Sequence, residues 1–236
     1  MAAVMGREPD ATEEAAPPGA IALAELAEVA EALETESPLE VLRWAASRFR
    51  ERILVTSSFQ DCVLVDLVRR VAPEVPIAFL DTGFHFPETL AYLRQVERRY
   101  GFTVRVVSAG LGPEESPCGA PDCCERRKVA PLRELLRDYD AWVTGVKRVD
   151  TPERADAPVV GFDPGKGVVK VNPIATWTED DVDAYVAQRG LPRHPLSARG
   201  YRSIGCAPVT APVAEGDHPR AGRWAGTGKT ECGLHL

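Results

Sequence analysis

Five short runs of mostly aliphatic residues, at 52–56, 77–80, 103–107, 141–144 and 168–171, constrain this chain more than any other feature, because segments of helical periodicity follow four of them. Val63, Leu64, Leu67 and Val68 share one face within 61–70. Pro87 opens a helical stretch to Tyr100, Cys123 one to Tyr139, and Thr178 one to Gln188, where Thr178 and Asp181 have the spacing of a capping box. Two further helices precede the first strand: one over 21–34, and one that starts with Ser37 as cap and Pro38 in the first turn, with Leu39, Val41, Leu42 and Ala45 on one face. Strands that alternate with helices need crossover connections. The pattern therefore predicts an α/β fold, a parallel sheet covered by helices on both faces. Ligands of such sheets bind beyond the carboxyl ends of the strands.

The chain has 236 residues, 44% of them apolar, enough for one large domain with a substantial core. Its net charge of −7 argues against a nucleic-acid partner held by bulk charge, while leaving room for local basic clusters that grip a small anion. No apolar run reaches membrane-spanning length. Residues 1–20, rich in Ala, Pro and Glu, lack the pattern of a secretory signal and are expected to be a disordered tail. With no signal, the expected compartment is the cytoplasm and the six cysteines are expected to stay reduced. Residues 21–200 are expected to form one α/β domain. From Leu191 the regular pattern fails, and 201–236 is expected to be a flexible C-terminal arm.

Chemistry-bearing residues cluster in the loops after the strands. Thr56-Ser57-Ser58-Phe59-Gln60 leads from the first strand into a helix, where hydroxyls and backbone N–H groups form either an anion cradle or an ordinary cap. Leu80-Asp81-Thr82-Gly83 follows the second strand, and His85 in the same loop reads as structural because no paired carboxylate is in view. Thr144-Gly145-Val146-Lys147-Arg148-Val149-Asp150 follows a later strand and suits a phosphate or sulfate, or simply a solvated loop.

The cysteines divide into two kinds. Cys62 begins an apolar helix face and reads as a buried free thiol. Cys123 and Cys124 are adjacent, and Cys206 follows in Ser203-Ile204-Gly205-Cys206-Ala207-Pro208; such thiols suit an iron–sulfur cluster or zinc. Lys128 lies one turn beyond Cys124 and can sit beside both a cluster and a substrate. A Cys-x-x-Cys pair would need cysteine at 209, where the chain has Val209, which ligates nothing; Cys118 and His218 are the alternatives, neither with supporting spacing. Cys232, in Glu231-Cys232-Gly233-Leu234-His235, follows Arg220-Ala221-Gly222-Arg223-Trp224. Thiolates are the nucleophilic form of cysteine and are favoured beside arginine, so Cys232 reads as a reactive thiol.

Taken together, these segments resemble the assimilatory adenylyl-sulfate and phosphoadenylyl-sulfate reductases, a family of the adenine-nucleotide PP-loop fold, a Rossmann-like α/β arrangement. The matching pieces are Thr56 to Gln60, Leu80 to Gly83, Cys123-Cys124 with Lys128, Thr144 to Asp150, Asn172-Pro173, Gly200 to Cys206, Arg220 to Trp224 and Glu231 to His235. The resemblance implies that Ser57, Ser58, Gln60, Leu80 and Thr82 bind the adenosine part, and that Lys128, Arg148, Arg220 and Arg223 bind the phosphosulfate. It implies attack by Cys232 on sulfur, release of AMP or its 3′-phosphorylated form, an S-sulfocysteine, and sulfite release by a separate thioredoxin or glutaredoxin. It implies a [4Fe–4S] cluster on Cys123, Cys124 and Cys206 and hence adenylyl-sulfate as substrate, with phosphoadenylyl-sulfate as the alternative. With Val209 in place of the fourth cysteine, three cases stay open: a non-Cys fourth ligand, a labile cluster, or none. A homo-oligomer is compatible with all of this. Two other readings are an ATP pyrophosphatase, which the glycine-poor Ser57-Ser58-Phe59-Gln60 loop disfavours, and a non-catalytic metal or redox sensor, which leaves the Cys232 motif unexplained.

Overall fold

The computed structural model describes residues 21–227 and 229–235; the expectation for 1–20 lies outside them. The described elements are α1 (Leu23–Leu33), α2 (Pro38–Phe49), β1 (Ile53–Thr56), α3 (Val63–Val71), β2 (Ile77–Asp81), α4 (Pro87–Tyr100), β3 (Arg105–Ser108), α5 (Ala130–Leu136), β4 (Ala141–Val143), β5 (Val160–Asp163), β6 (Val168–Val171) and α6 (Glu179–Arg189), with short 3-10 turns between them. The strands form one sheet in the order β3-β2-β1-β4-β6-β5. Five strands run parallel, and β5 closes the edge antiparallel to β6. Successive strands move outward from β1 to β3, and the chain then returns to place β4 on the other side of β1. The switch point is therefore at the carboxyl ends of β1 and β4, where a crevice opens.

Strand periodicity divides the interior into two cores. Ile53 and Val55, with Ile77, Phe79, Ala141 and Val143, face α2, α3 and α4. Leu54, Ala78, Leu80 and Trp142 face the opposite side, where Leu132, Leu135 and Leu136 of α5 cover them. Alternate side chains of one strand thus reach opposite layers. Each fully buried leucine or valine contributes about 1.5–3 kcal/mol of transfer free energy, so a register slip in β1 would forfeit several such terms at once.

The capping signals act as their chemistry dictates. Ser37 Oγ accepts from Glu40 N at 3.3 Å. Thr178 Oγ1 accepts from Asp181 N at 3.2 Å, and the Asp181 carboxylate accepts from Thr178 N at 2.8 Å. Gly101 ends α4 in the left-handed region at φ +63°, as glycine can without a Cβ penalty.

Two elements differ from expectation. The helix expected over 123–139 opens as a wider π-type turn over Glu125–Val129 before α5 begins. Pro131 has no N–H to give Arg127, and the Ala130 N–H bonds Glu125 O instead. The strand β5 was not expected, because Pro158, Gly161 and Gly165 obscure it. The described part of the arm also packs on the domain: Ala207 N bonds Phe84 O at 2.7 Å, Val213 N bonds Gly200 O at 3.0 Å, and Leu234 packs on the second core.

Candidate active site

The β1/β4 crevice is a cavity of about 200 Å³. The loop after β1 supplies Ser57, Ser58 and Gln60, and β2 supplies Leu80. Phe59 turns inward at φ +53° and is fully buried, which points the polar residues on either side of it towards the cavity. The α3 N-terminus does not act as an open anion cradle: Asp61 Oδ1 already accepts from Val63 N at 2.9 Å. Gln60 Oε1 accepts from Ile204 N at 2.8 Å, which ties the C-terminal segment to this loop. His85 lines the wall but is buried, stacks on Phe79 and has Nε2 3.1 Å from Leu80 O. Burial lowers its pKa and favours the neutral ring, and Asp81 Oδ1 stands 3.9 Å from Nε2, a carboxylate that the sequence did not place there.

The opposite wall is cationic. Lys128, Arg154, Arg220 and Arg223 all line it. Burial opposes charge on Lys128, yet the sulfurs of Cys206, Cys232 and Cys124 outweigh that penalty and hold its pKa above the usual lysine value. Burial lowers the pKa of both Arg220 and Arg223, and each feels a neighbouring guanidinium. Among the described residues, the Nε atoms of Arg220 and Arg223 are buried with no hydrogen-bond partner. A buried donor left unmet costs about 1–3 kcal/mol, more for a charged group, so this wall calls for a multidentate anion. Cys232 lines the same cavity and interacts electrostatically with Lys128, Arg220 and Arg223.

Two expected substrate residues lie elsewhere. Arg148 is not in this wall: its guanidinium pairs with Glu34 at 2.6 and 3.0 Å and donates to Ala157 O at 2.8 Å. Lys147 turns inward in its place, but Glu179 at 2.7 Å and Asp150 at 3.2 Å already neutralise it. Thr82 faces the neighbouring thiol cavity, with Oγ1 3.4 Å from Cys206 Sγ.

The tail around Cys232 is held by residues that the sequence reading did not assign. Glu231 is 6% exposed and accepts from Thr151 Oγ1 at 3.0 Å and from Arg154 Nη2 at 2.8 Å. His235 stacks on Trp142, with centroids 5.3 Å apart and planes at 9°, and its carbonyl accepts from Lys170 Nζ at 3.1 Å. The Glu-Cys-Gly-Leu-His run itself was the available signal, since an acid next to a nucleophile in a cationic site needs a partner.

Cys123, Cys124 and Cys206 line a second cavity, together with Cys118 and Val209; Lys128 lies in the wall of both cavities. Arg127, 3% exposed, builds this wall by donating to the carbonyls of Thr82, Leu111, Gly112 and Ser116. The Cys118 and Cys206 thiols interact across the cavity, which draws the Cys206 pKa down and pushes that of Cys118 up. Among the described residues, no three His, Cys, Asp or Glu side chains gather tightly enough to hold a single metal ion. The thiols instead surround a volume. That arrangement fits a polynuclear iron–sulfur core, whose cysteines are spaced around a body of several atoms.

The phosphoadenosine phosphosulfate reductase domain model matches residues 52–212. An adenosine 5′-phosphosulfate reductase of Streptomyces coelicolor is 47% identical over 212 residues, 86% of this chain and 90% of that protein. One of Mycolicibacterium smegmatis is 44% identical over 224 residues, covering 91% and 95%. Among solved structures, a phosphoadenylyl-sulfate reductase of Candida auris in complex with phosphate superposes with a TM-score of 0.71 at 26% identity, covering 81% of this chain and 98% of that one. An FMN adenylyltransferase of Candida glabrata, with FAD and pyrophosphate, reaches 0.58 at 13% identity over 84% of this chain and 79% of its own, a likeness of fold alone.

Proposed function

The chain belongs to the phosphoadenosine phosphosulfate reductase domain family, and from that premise we propose that it reduces adenylyl-sulfate to sulfite and AMP through Cys232, for sulfate assimilation and cysteine synthesis. One observation carries this reading: Cys232 shares its cavity with buried guanidinium groups whose Nε donors are unmet. A phosphosulfate would satisfy those donors and bring its sulfur to the thiol.

Adenosine sits on the side of Ser57, Ser58, Gln60 and Leu80, and the phosphosulfate lies against Lys128, Arg220 and Arg223. The Cys232 thiolate attacks the sulfonate sulfur. A sulfur–sulfur bond forms as the bond from sulfur to the bridging oxygen breaks, and AMP leaves with that electron pair. Lys and Arg stabilise the charge that gathers on the leaving phosphate. A dithiol protein of the thioredoxin or glutaredoxin class then attacks Cys232 Sγ and sulfite departs. The second thiol of that protein displaces Cys232 as thiolate, so the reductant ends as a disulfide and the two electrons balance. Residues 201–236 act as an arm, closed over substrate for the first step and open to the reductant for the second. A cytoplasmic location suits such reductants.

Cys123, Cys124 and Cys206 would hold the [4Fe–4S] cluster. When bound, such a cluster supplies a compact anionic body that ties two chain segments together and supports the charge of Lys128. Cys232→Ser keeps the cavity and removes the nucleophile. It is expected to bind AMP within about twofold of wild type, by calorimetry, and to release no sulfite with thioredoxin. Sulfite formation at the wild-type rate would remove Cys232 from the mechanism.

A further inference from the structure

The thiol cavity has a fourth cysteine that the motif spacing does not provide. Cys118 lies in the short run between β3 and the Cys123-Cys124 pair, and it lines the same cavity of about 200 Å³ as Cys123, Cys124 and Cys206. That is far more than the ~10–15 Å³ that one ordered water needs. The run doubles back on itself: Ala120 N bonds Pro117 O at 3.1 Å, Cys123 N bonds Ala120 O at 3.1 Å, and Gly119 sits at φ +97°, a conformation open to glycine and strained for other residues. This reversal brings Cys118 back towards the Cys206 segment, so that both thiols face one cavity. It also sets Gly119 against Val209: a Cβ on Gly119 would stand 3.8 Å from Val209 Cγ1. The side chain that cannot ligate and the residue next to the spare thiol therefore occupy the same corner of the wall.

We propose that Cys118 is the fourth thiolate of the iron–sulfur cluster, at the corner of the cavity where Val209 stands. The inference rests on the cluster reading of the previous subsection and adds to it the ligand that the Cys206-x-x-Val209 segment lacks. Each of the four thiols binds as thiolate and gives its proton to solvent as its bond to iron forms. Two ferrous and two ferric ions with four sulfides make up the core without any further electron.

The test uses the full chain, purified anaerobically and loaded with ferrous iron, ferric iron and sulfide. Wild type, Cys118→Ser, Cys118→Ser/Val209→Cys and the control Cys62→Ser are compared by iron and sulfide content and by electron paramagnetic resonance. Cys62 is a suitable control because it lies apart from this cavity, buried beside Pro192 O. The expected result is about four irons per chain in wild type, the control and the double variant, and about three or fewer in Cys118→Ser. Full iron content in Cys118→Ser overturns the role of Cys118 and leaves the cluster reading intact. A wild type that takes up no iron overturns both. Thiol alkylation of loaded wild type, read by mass spectrometry, needs no variant to fold: Cys118 is expected to be protected together with Cys123, Cys124 and Cys206 until a chelator removes the iron. Equal labelling of Cys118 with and without iron overturns the inference.

Discussion

Glu231 is the best point at which to test whether the arm is held closed by the contacts seen here. Its side chain is 3% exposed, against 10% for that of its partner Arg154, so solvent screens the pair little. Glu231→Gln keeps an acceptor for Thr151 Oγ1 but turns a charged pair with Arg154 into a neutral contact. A hydrogen bond to a charged group contributes about 1.5–3 kcal/mol, and taking about 2 kcal/mol for this one raises the open fraction of the arm about thirtyfold. Thr151→Val removes only a neutral bond, worth about 1 kcal/mol, and predicts about a fivefold rise. The assay is tryptic cleavage after Lys229. In the closed arm that side chain is engaged, with Nζ 3.4 Å from Cys124 Sγ and over the Trp224 ring, so cleavage needs the open form. Where reclosing outpaces cleavage, the rate follows the open population. The two variants should therefore release the terminal peptide faster in the ratio of about six to one relative to each other, with cleavage elsewhere unchanged. Wild-type rates in both would show that the Glu231 contacts do not hold the arm, and the gating role assigned to residues 201–236 would lose its basis.

Two other predictions concern charge. Arg223→Met removes a buried donor to the phosphosulfate and should weaken adenylyl-sulfate binding by about tenfold to a hundredfold in calorimetry; Gly205→Ala, whose Cβ would collide with the Arg223 guanidinium, should weaken it too without removing any charge. Burial brings the Lys170 pKa down to about 8 from 10.5. Between those two pH values the unfolded chain holds a proton that the fold does not. Stability of wild type relative to Lys170→Met should therefore be flat below pH 8 and rise with pH from about 8 to 10.5, as measured by denaturant titration.

What the sequence revealed followed from local chemistry. Ser37, Thr178 with Asp181, Pro87 and the alternating aliphatic runs each act through neighbours within a few residues, so their elements form as expected. Cys232, Arg220 and Arg223 were legible because they share one short stretch and one chemistry. What stayed hidden depends on geometry set from afar. Whether Lys147 or Arg148 turns inward is decided by Glu34, just past the end of α1, and Glu179, at the start of α6. The strand β5 exists because β6 is there to pair with it; its own Pro158, Gly161 and Gly165 give no strand signal. Pro131 lies inside the helix expected from Cys123 to Tyr139, and the displaced hydrogen bond that widens the turn there shows only in the fold. Cys118 carried no motif, and its place beside Cys206 comes from a chain reversal at Gly119.

Lys128 is where the two cavities become one machine. An ammonium at full burial is disfavoured by several kcal/mol unless anions stand beside it. Here the compensating groups are sulfurs from both sides: Cys206 and Cys124 from the thiol cavity, and Cys232 from the substrate cavity. The thiol set is thus coupled to the chemistry by charge without touching substrate. Ligated thiolates are permanently anionic, so a metal-filled thiol cavity would favour the charged form of Lys128, whereas protonated Cys124 and Cys206 would withdraw that support. Occupation of the thiol cavity would therefore be felt in the cavity of Cys232 through the charge of one lysine that lines both.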